Sequence, residues 1–244
     1  METRTVVVGA AVTAGVGGVA LWARYLWRRQ GVWRVRNAEA IPVHSKFWRE
    51  RNKEEGELLY AVIGDSAAQG IGASRPAHGY VGFVAAQLRS LLRGRSLRVA
   101  NLAISGSTLR MAIDSQLPRF AALDPDVVTV SIGANDMGSF EPERFERELR
   151  TVLGAMPQHA IVADLPSFYF LPAQRNVRAA NRILRRVAGE LGLRVVDLHS
   201  RTDRQGLFGV FTQFSGDLFH PNDRGYRIWA DAFSSAITAR ANRL

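Results

Sequence analysis

Residues 58–66, LLYAVIGDS, decide the fold class. An uninterrupted apolar run that ends in Gly-Asp-Ser predicts a short strand buried on both faces, followed directly by a turn. Strands of this kind belong to parallel sheets covered by helices on both sides, because an exposed sheet face would alternate polar and apolar residues.

Four further apolar runs follow, each separated from the next by an amphipathic stretch. The predicted strands are Leu58–Ile63, Leu97–Asn101, Asp126–Ile132, Ala160–Asp164 and Arg194–Leu198, and the predicted helices are Tyr80–Arg93, Thr108–Phe120, Pro142–Ala155, Arg175–Leu191 and Asp223–Arg240. Strands that alternate with helices predict an α/β domain in which right-handed crossovers build a doubly wound sandwich.

Four motifs lie at predicted element ends. Ser66 follows the first strand, Gly106 the second and Asn135 the third, while the pair Asp217 and His220 precedes the last helix. Sites in open parallel sheets lie beyond the carboxyl ends of the strands, so we expect these four motifs to meet at one edge.

The chemistry of these residue types suits acyl transfer. A serine hydroxyl needs a base to become a nucleophile, histidine is that base near neutral pH, and a carboxylate fixes the imidazole. An oxyanion needs donors, and we expect the backbone N–H groups of Ser66 and Gly106 and the Asn135 amide to supply them. For Asp65 and Asp136 we expect roles in shaping the two loops, with backbone capping an equally good explanation.

This ordered set resembles the SGNH (GDSL) hydrolases over residues 58–240. The resemblance implies an SGNH hydrolase fold, a flavodoxin-like three-layer sandwich with a five-stranded parallel sheet. It also implies a triad of Ser66, Asp217 and His220 with Gly106 and Asn135 in the oxyanion hole. Ala67 and Ala103 depart from the usual family pattern without removing a reacting group.

The function expected is hydrolysis of carboxylic esters, as an esterase or lipase-like acyl hydrolase, through an acyl-enzyme. A deacetylase or acyltransferase that acts on acylated sugars or lipids uses the same constellation, and a non-catalytic, membrane-tethered binding domain is a third possibility. We expect a small-molecule or lipid-like ester as partner and no cofactor, because the sequence has neither metal-ligand spacing nor a P-loop.

Two further groups of residues are candidates for a functional role. Asp197 and His199 form a rival acid–base pair at the end of the fifth strand, with a structural histidine as the alternative. Aromatic residues on the two late loops are candidates for an acyl pocket or for core packing; those assigned to the pocket are Phe168, Phe211 and Phe214, beside Tyr169, Phe170 and Phe208.

The N-terminal quarter differs from the domain. Residues 5–23 carry no charge and predict one hydrophobic helix that anchors the chain in a membrane, with a cleaved signal peptide as the alternative. Residues 24–53 hold nine basic and two acidic side chains, which predicts a membrane surface rather than nucleic acid as partner.

These features predict three parts. Residues 1–23 are the anchor, 24–57 a basic linker and 58–244 the hydrolase domain. An alternative for the linker is that it packs on the domain. The basic residues after the span place the domain in the cytoplasm by the positive-inside rule, or outside the cell if a signal is cleaved. The absence of cysteine leaves the redox compartment open.

Overall fold

The computed structural model describes the backbone of residues 2–169 and 172–244, and the side chains of residues 24, 25, 27–169 and 172–244. A five-stranded parallel sheet with the order β2-β1-β3-β4-β5 forms its centre. The strands are β1 Leu58–Gly64, β2 Leu97–Asn101, β3 Val127–Ser131, β4 Ile161–Ala163 and β5 Arg194–Val196. The predicted α/β fold and five parallel strands are confirmed.

Helices cover both faces of the sheet. They are α1 Glu2–Arg51, α2 Ser66–Gln69, α3 Tyr80–Leu91, α4 Leu109–Ser115, α5 Leu117–Phe120, α6 Pro142–Gly154, α7 Gln174–Glu190, α8 Leu198–Asp203, α9 Gly206–Thr212 and α10 Asp223–Ala241. The predicted helix Thr108–Phe120 is in fact two helices. Pro118 stands in the first turn of α5, where its missing N–H costs nothing, whereas it would break a continuous helix.

Side chains of β1 alternate between two hydrophobic clusters. Tyr60 and Val62 face the cluster formed with α3 and α10, and Ala61 and Ile63 face the cluster formed with α6 and α7. This period of two is what a strand produces, and here both faces are apolar because both are covered. The core therefore occupies both layers beside the sheet.

The order of the strands places a crevice beside β1. Chain connections run from β1 to β2 on one side, and the chain then returns to place β3 on the other side of β1. Between β1 and β3 the loops at the carboxyl ends diverge, which is where doubly wound proteins bind ligands. Ser66 follows β1 and Asn135 follows β3, so two of the four motifs flank this crevice.

Helix α1 continues well past the predicted anchor. Its C-terminal part packs on the domain, with Asn37, His44 and Trp48 buried against it. The basic linker predicted for residues 24–57 is thus helical as far as Arg51, and the alternative that this segment packs on the domain agrees with the structure.

The predicted membrane anchor gains no support. Within the described part of the chain, no helix combines the length and the apolarity that crossing a bilayer requires. The anchor prediction falls on residues 5–23, whose side chains lie outside the described residues.

Candidate active site

Three side chains that are far apart in sequence meet at the carboxyl edge of the sheet. His220 Nε2 lies 3.0 Å from Ser66 Oγ, and His220 Nδ1 lies 2.6 Å from Asp217 Oδ2. A carboxylate accepts only, so Nδ1 carries the proton and Nε2 is free to accept the hydrogen bond that Ser66 donates. This arrangement suits removal of the serine proton by the imidazole.

The turn that carries Ser66 is held by its neighbour. Asp65 caps the short helix α2, and its Oδ1 accepts a hydrogen bond from Ala67 N at 2.9 Å. Helix α2 ends at Gly70, whose φ of +80° is the left-handed conformation that favours glycine. The cap and the glycine fix a single turn of helix, with Ser66 as its first residue.

The loop that carries the acid and the base wraps around its own carboxylate. Asp217 Oδ1 accepts hydrogen bonds from the backbone N–H groups of Phe219 and His220, both at 3.0 Å. Leu218 adopts a left-handed φ of +55°, which is costly for a residue with a Cβ and marks a turn imposed by its surroundings. This turn explains how a spacing of three residues brings acid and base together.

The expected oxyanion donors border the same cavity. Gly106 is exposed with φ +80°, and both Gly106 and Asn135 line the cavity beside Ser66. The Asn135 amide donates to Ser107 O at 3.0 Å and lies 3.4 Å from Asp65 Oδ2. Ser107 O therefore holds one hydrogen of the amide that was expected to serve the oxyanion, while the contact of the amide with Asp65 is long.

Asp136 does not enter the cavity. Its carboxylate accepts from Leu109 N at 3.1 Å, which ties the loop after β3 to the start of α4. Both Asp65 and Asp136 therefore bond to backbone N–H groups of nearby turns.

Burial and hydrogen bonding shift the pKa values of Asp65 and Asp136 in one direction and that of Asp217 in the other. Burial raises the pKa of Asp65 to about 6 and that of Asp136 to about 6, against hydrogen bonds that lower them. Burial also acts to raise the pKa of Asp217, but hydrogen bonds from His220 and Ser215 outweigh it and hold the pKa below its usual value. Asp217 is thus the carboxylate kept anionic beside the histidine.

A cavity of about 710 Å³ opens beside Ser66 and His220. Its walls are mainly apolar, and Phe168 and Phe214 line it. Phe211 is the exception: it is 64% exposed, while Val210 of the same helix lines the cavity. The two residues are adjacent on α9, so they point in different directions around the helix.

Sequence reasoning missed the part of the site that α1 supplies. The Asn37 amide donates to Asp217 Oδ2 at 2.7 Å, and Gln30 donates to the Asp217 carbonyl at 3.0 Å. The inward residues follow a helical spacing of three and four, which was visible in the sequence; they are Gln30, Arg34, Asn37, Ile41, His44 and Trp48.

Asp197 and His199, the rival acid–base pair, make structural contacts. Asp197 caps α8 through Ser200 N and bonds to Arg185, while His199 Nδ1 faces the carbonyl of Leu165 at 3.1 Å. Neither side chain has a serine nucleophile among these partners, which agrees with the structural alternative. Among the described residues, no group of three or more His, Cys, Asp or Glu side chains is arranged to hold a metal ion.

A doubly wound sheet with serine, histidine and carboxylate at its carboxyl edge defines an α/β protein with a serine-hydrolase arrangement. The model of the GDSL-like Lipase/Acylhydrolase family matches residues 62–228, and the chain belongs to this family. The resemblance found in the sequence is confirmed, and the chain is a serine-type carboxylic ester hydrolase.

Individual relatives agree with this assignment. An acetylxylan esterase of Geobacillus stearothermophilus is 27% identical over 204 residues, which cover 77% of this chain and 87% of the relative. LAE5, an alpha/beta hydrolase enzyme from the metagenome of Lake Arreo in Spain, has a TM-score of 0.62 at 25% identity and covers 75% of this chain and 96% of its own.

The fold is shared with another solved structure. Axe2, an acetylxylan esterase from Geobacillus stearothermophilus, has a TM-score of 0.61 at 24% identity, over 75% of this chain and 94% of its own. The match to the family begins at residue 62, after α1 has ended at Arg51.

Proposed function

We propose that the chain hydrolyses carboxylic esters through an acyl-enzyme, with Ser66 as nucleophile, His220 as general base and acid, and Asp217 as its carboxylate partner. The observation that carries the proposal is the chain of contacts from Ser66 Oγ to His220 Nε2 at 3.0 Å and from His220 Nδ1 to Asp217 Oδ2 at 2.6 Å. The first contact is the path of the proton from Ser66 to His220, and the second holds the imidazole and stabilises its protonated form beside the cavity.

Each step uses a group already in place. Ser66 Oγ attacks the carbonyl carbon while His220 takes its proton, and the carbonyl oxygen becomes an oxyanion. When the oxyanion collapses, the bond to the alcohol oxygen breaks and His220 returns the proton to that oxygen. Water then attacks the acyl-enzyme with His220 again as base, which releases the carboxylic acid and free Ser66.

Three donors are proposed for the oxyanion. The backbone N–H groups of Ser66 and Gly106 and the side-chain amide of Asn135 border the cavity from the ends of β1, β2 and β3. Such donors lower the barrier because they are oriented before charge develops. One amide hydrogen of Asn135 is held by Ser107 O at 3.0 Å, and the second, whose contact with Asp65 Oδ2 is long at 3.4 Å, is the one proposed to turn to the oxyanion.

The shape of the cavity supports an ester with an apolar group larger than acetyl. About 710 Å³ is within the size range of pockets that hold drug-sized ligands, and an acetyl group fills a small part of it. Phe168, Val210 and Phe214 supply apolar walls. Each methylene buried there contributes about 0.8 kcal/mol, or about fourfold in affinity.

Deacetylation of a sugar is the second candidate function. The observation that favours it is the acetylxylan esterase relative, 27% identical over 204 residues. The same nucleophile, base and oxyanion donors serve either reaction, so the substrate decides between them. A membrane tether and a cytoplasmic location stay predictions from the sequence alone.

Steady-state hydrolysis of p-nitrophenyl acetate, butyrate, hexanoate and octanoate, beside an acetylated xylo-oligosaccharide, tests the proposal. We expect kcat/KM to rise from acetate to hexanoate and to exceed that for the sugar acetate. We expect Ser66→Ala to lower kcat by at least about 10⁴-fold. Faster cleavage of the sugar acetate than of every simple ester supports the deacetylase, and undiminished turnover by Ser66→Ala refutes the mechanism.

A further inference from the structure

Helix α1 reaches the proposed active site through one buried polar side chain. Asn37 is only 6% exposed, although asparagine is usually a surface residue. Its Nδ2 donates to Asp217 Oδ2 at 2.7 Å and to Ser215 Oγ at 2.9 Å. Both amide hydrogens are therefore directed at the loop that carries the acid and the base.

The carboxylate of Asp217 receives its hydrogen bonds in an uneven pattern. Oδ1 accepts from Ser215 Oγ at 2.7 Å and from the backbone N–H groups of Phe219 and His220 at 3.0 Å. Oδ2, the oxygen that faces the imidazole, accepts from His220 and from Asn37. Among the described hydrogen bonds to this carboxylate, only that of Asn37 comes from outside residues 215–220.

The loop that carries Asp217 and His220 also contacts α1 at other points. Gln30 donates to the Asp217 carbonyl at 3.0 Å. A Cβ built on Gly216 would lie 2.1 Å from Trp33, so loop and helix are in direct contact there. Further along α1, Trp48 donates to the carbonyl of Gln69 in the turn after Ser66 at 3.0 Å. Helix α1 thus contacts both loops that carry the proposed triad.

We propose that Asn37 is a positioning residue that holds Oδ2 of Asp217 against His220, so that α1 completes an active site whose other parts lie within residues 62–228. This proposal rests on the proposed function. The physical reason is that Oδ1 is fixed by its own loop, whereas the orientation of Oδ2 toward the imidazole depends on a donor from α1. A donor at that oxygen also favours the anionic carboxylate.

The first test compares kinetic constants for p-nitrophenyl butyrate in the full chain. Asn37→Leu keeps the number and branching of the side-chain heavy atoms and removes both hydrogen bonds. We expect kcat to fall about 10- to 100-fold while KM changes by less than about threefold, because the lost hydrogen bond orients the carboxylate of the triad, whereas the apolar walls proposed to bind the ester are unchanged. Ser45→Ala, on the same helix, removes a bond to Gln69 and not to Asp217, and is the matched control for which we expect no loss.

A double-mutant cycle separates positioning from general support of the fold. If Asn37 acts through Asp217, Asn37→Leu has no further effect on kcat in the Asp217→Ala background. If α1 acts only by stabilising the domain, the two losses multiply. Multiplied losses, or an unchanged kcat in Asn37→Leu, overturn the proposal.

Two further results complete the test. Thermal unfolding and circular dichroism of Asn37→Leu and Asn37→Ala show whether each variant folds, and failure of both to fold would establish a structural role and overturn the proposal. Ser66→Ala tells the two proposals apart. If it retains turnover, the proposed function fails; if it loses turnover while Asn37→Leu keeps it, only the role of Asn37 fails.

Discussion

His220 Nε2 accepts a hydrogen bond from Ser66 Oγ at 3.0 Å, although the two residues stand 154 positions apart. The sheet makes this possible, because Ser66 follows β1 closely and His220 lies three residues before α10, which packs on the face of the sheet that carries Tyr60 and Val62. His220→Ala removes the base, and we expect kcat for p-nitrophenyl butyrate to fall about 10⁴-fold or more.

The rival histidine supplies the control for that experiment. His199 Nδ1 faces the carbonyl of Leu165, and His199 is not among the residues that line the cavity, so we expect His199→Ala to keep kcat within about threefold of wild type. Equal losses in the two variants would contradict the assignment of the base to His220.

Gly72 tests how closely the histidine loop is packed. A Cβ at this position would lie 2.5 Å from Pro221 O and 2.8 Å from His220 Cβ. We expect Gly72→Ala to displace His220 and to lower kcat at least about tenfold, because a shift of 1 Å in a catalytic group is costly. Kinetics and thermal unfolding of the purified variant measure both effects.

Gly94 is the matched control for that substitution. Gly94 has a φ of +91°, close to the +93° of Gly72. A Cβ at Gly94, however, would meet no atom within 4 Å. Both variants carry the same backbone strain, about 1–2 kcal/mol, and only Gly72→Ala carries the clash. Loss of activity in Gly94→Ala to the same degree would show that strain alone accounts for the effect.

A larger side chain on α9 would fill part of the cavity. Val210 lines the cavity, and Val210→Trp would occupy part of its volume. We expect kcat/KM for p-nitrophenyl hexanoate to fall at least about tenfold, with a change of less than about threefold for the acetate. Leu207 lies on the same helix and is 65% exposed, so Leu207→Trp should leave kcat/KM for both esters unchanged. Equal losses for both esters with Val210→Trp would place the acyl group elsewhere.

Asp136 gives a prediction about stability and pH. Its pKa is raised by burial from 3.8 to about 6, so between these values the folded state binds more protons than the unfolded state. The contribution of Asp136 to stability is present below about pH 4 and is lost as pH rises to about 6, by about 1–3 kcal/mol in all.

Asp136→Asn isolates this contribution, because asparagine resembles the protonated acid and can still accept from Leu109 N. We expect the unfolding free energy of wild type minus that of Asp136→Asn to decrease between pH 4 and pH 7, measured by urea denaturation at each pH. A difference that is constant or that increases over this range would contradict the raised pKa.

Much of the fold could be predicted because strands buried on both faces leave continuous apolar runs. Val127–Ser131 and Leu97–Asn101 lie within or match their predicted spans. The location of the candidate site could be predicted from topology, since residues that follow parallel strands lie at the same edge of the sheet. The short helices α2, α8 and α9 were not predicted, because one or two turns depend on tertiary contacts and leave little periodicity.

The contribution of α1 to the site was not predicted, for a different reason. The residues of α1 that face the domain include polar ones such as Asn37 beside Ile41 and Trp48. The sequence therefore lacks the continuous apolar face that predicts a helix packed on a domain. Uncharged residues 5–23 instead favoured a membrane span. Only three-dimensional proximity shows that Asn37 meets Asp217, 180 residues away.

Covalent labelling tests the central claim most directly. The purified full chain is treated with a serine-directed phosphonate, and intact mass followed by peptide mapping locates the adduct. We predict one adduct per chain on Ser66, none in Ser66→Ala, and full labelling in Ser105→Ala, whose serine lies in the same cavity. Labelling that persists undiminished in Ser66→Ala, or that maps to another residue in wild type, would contradict the account.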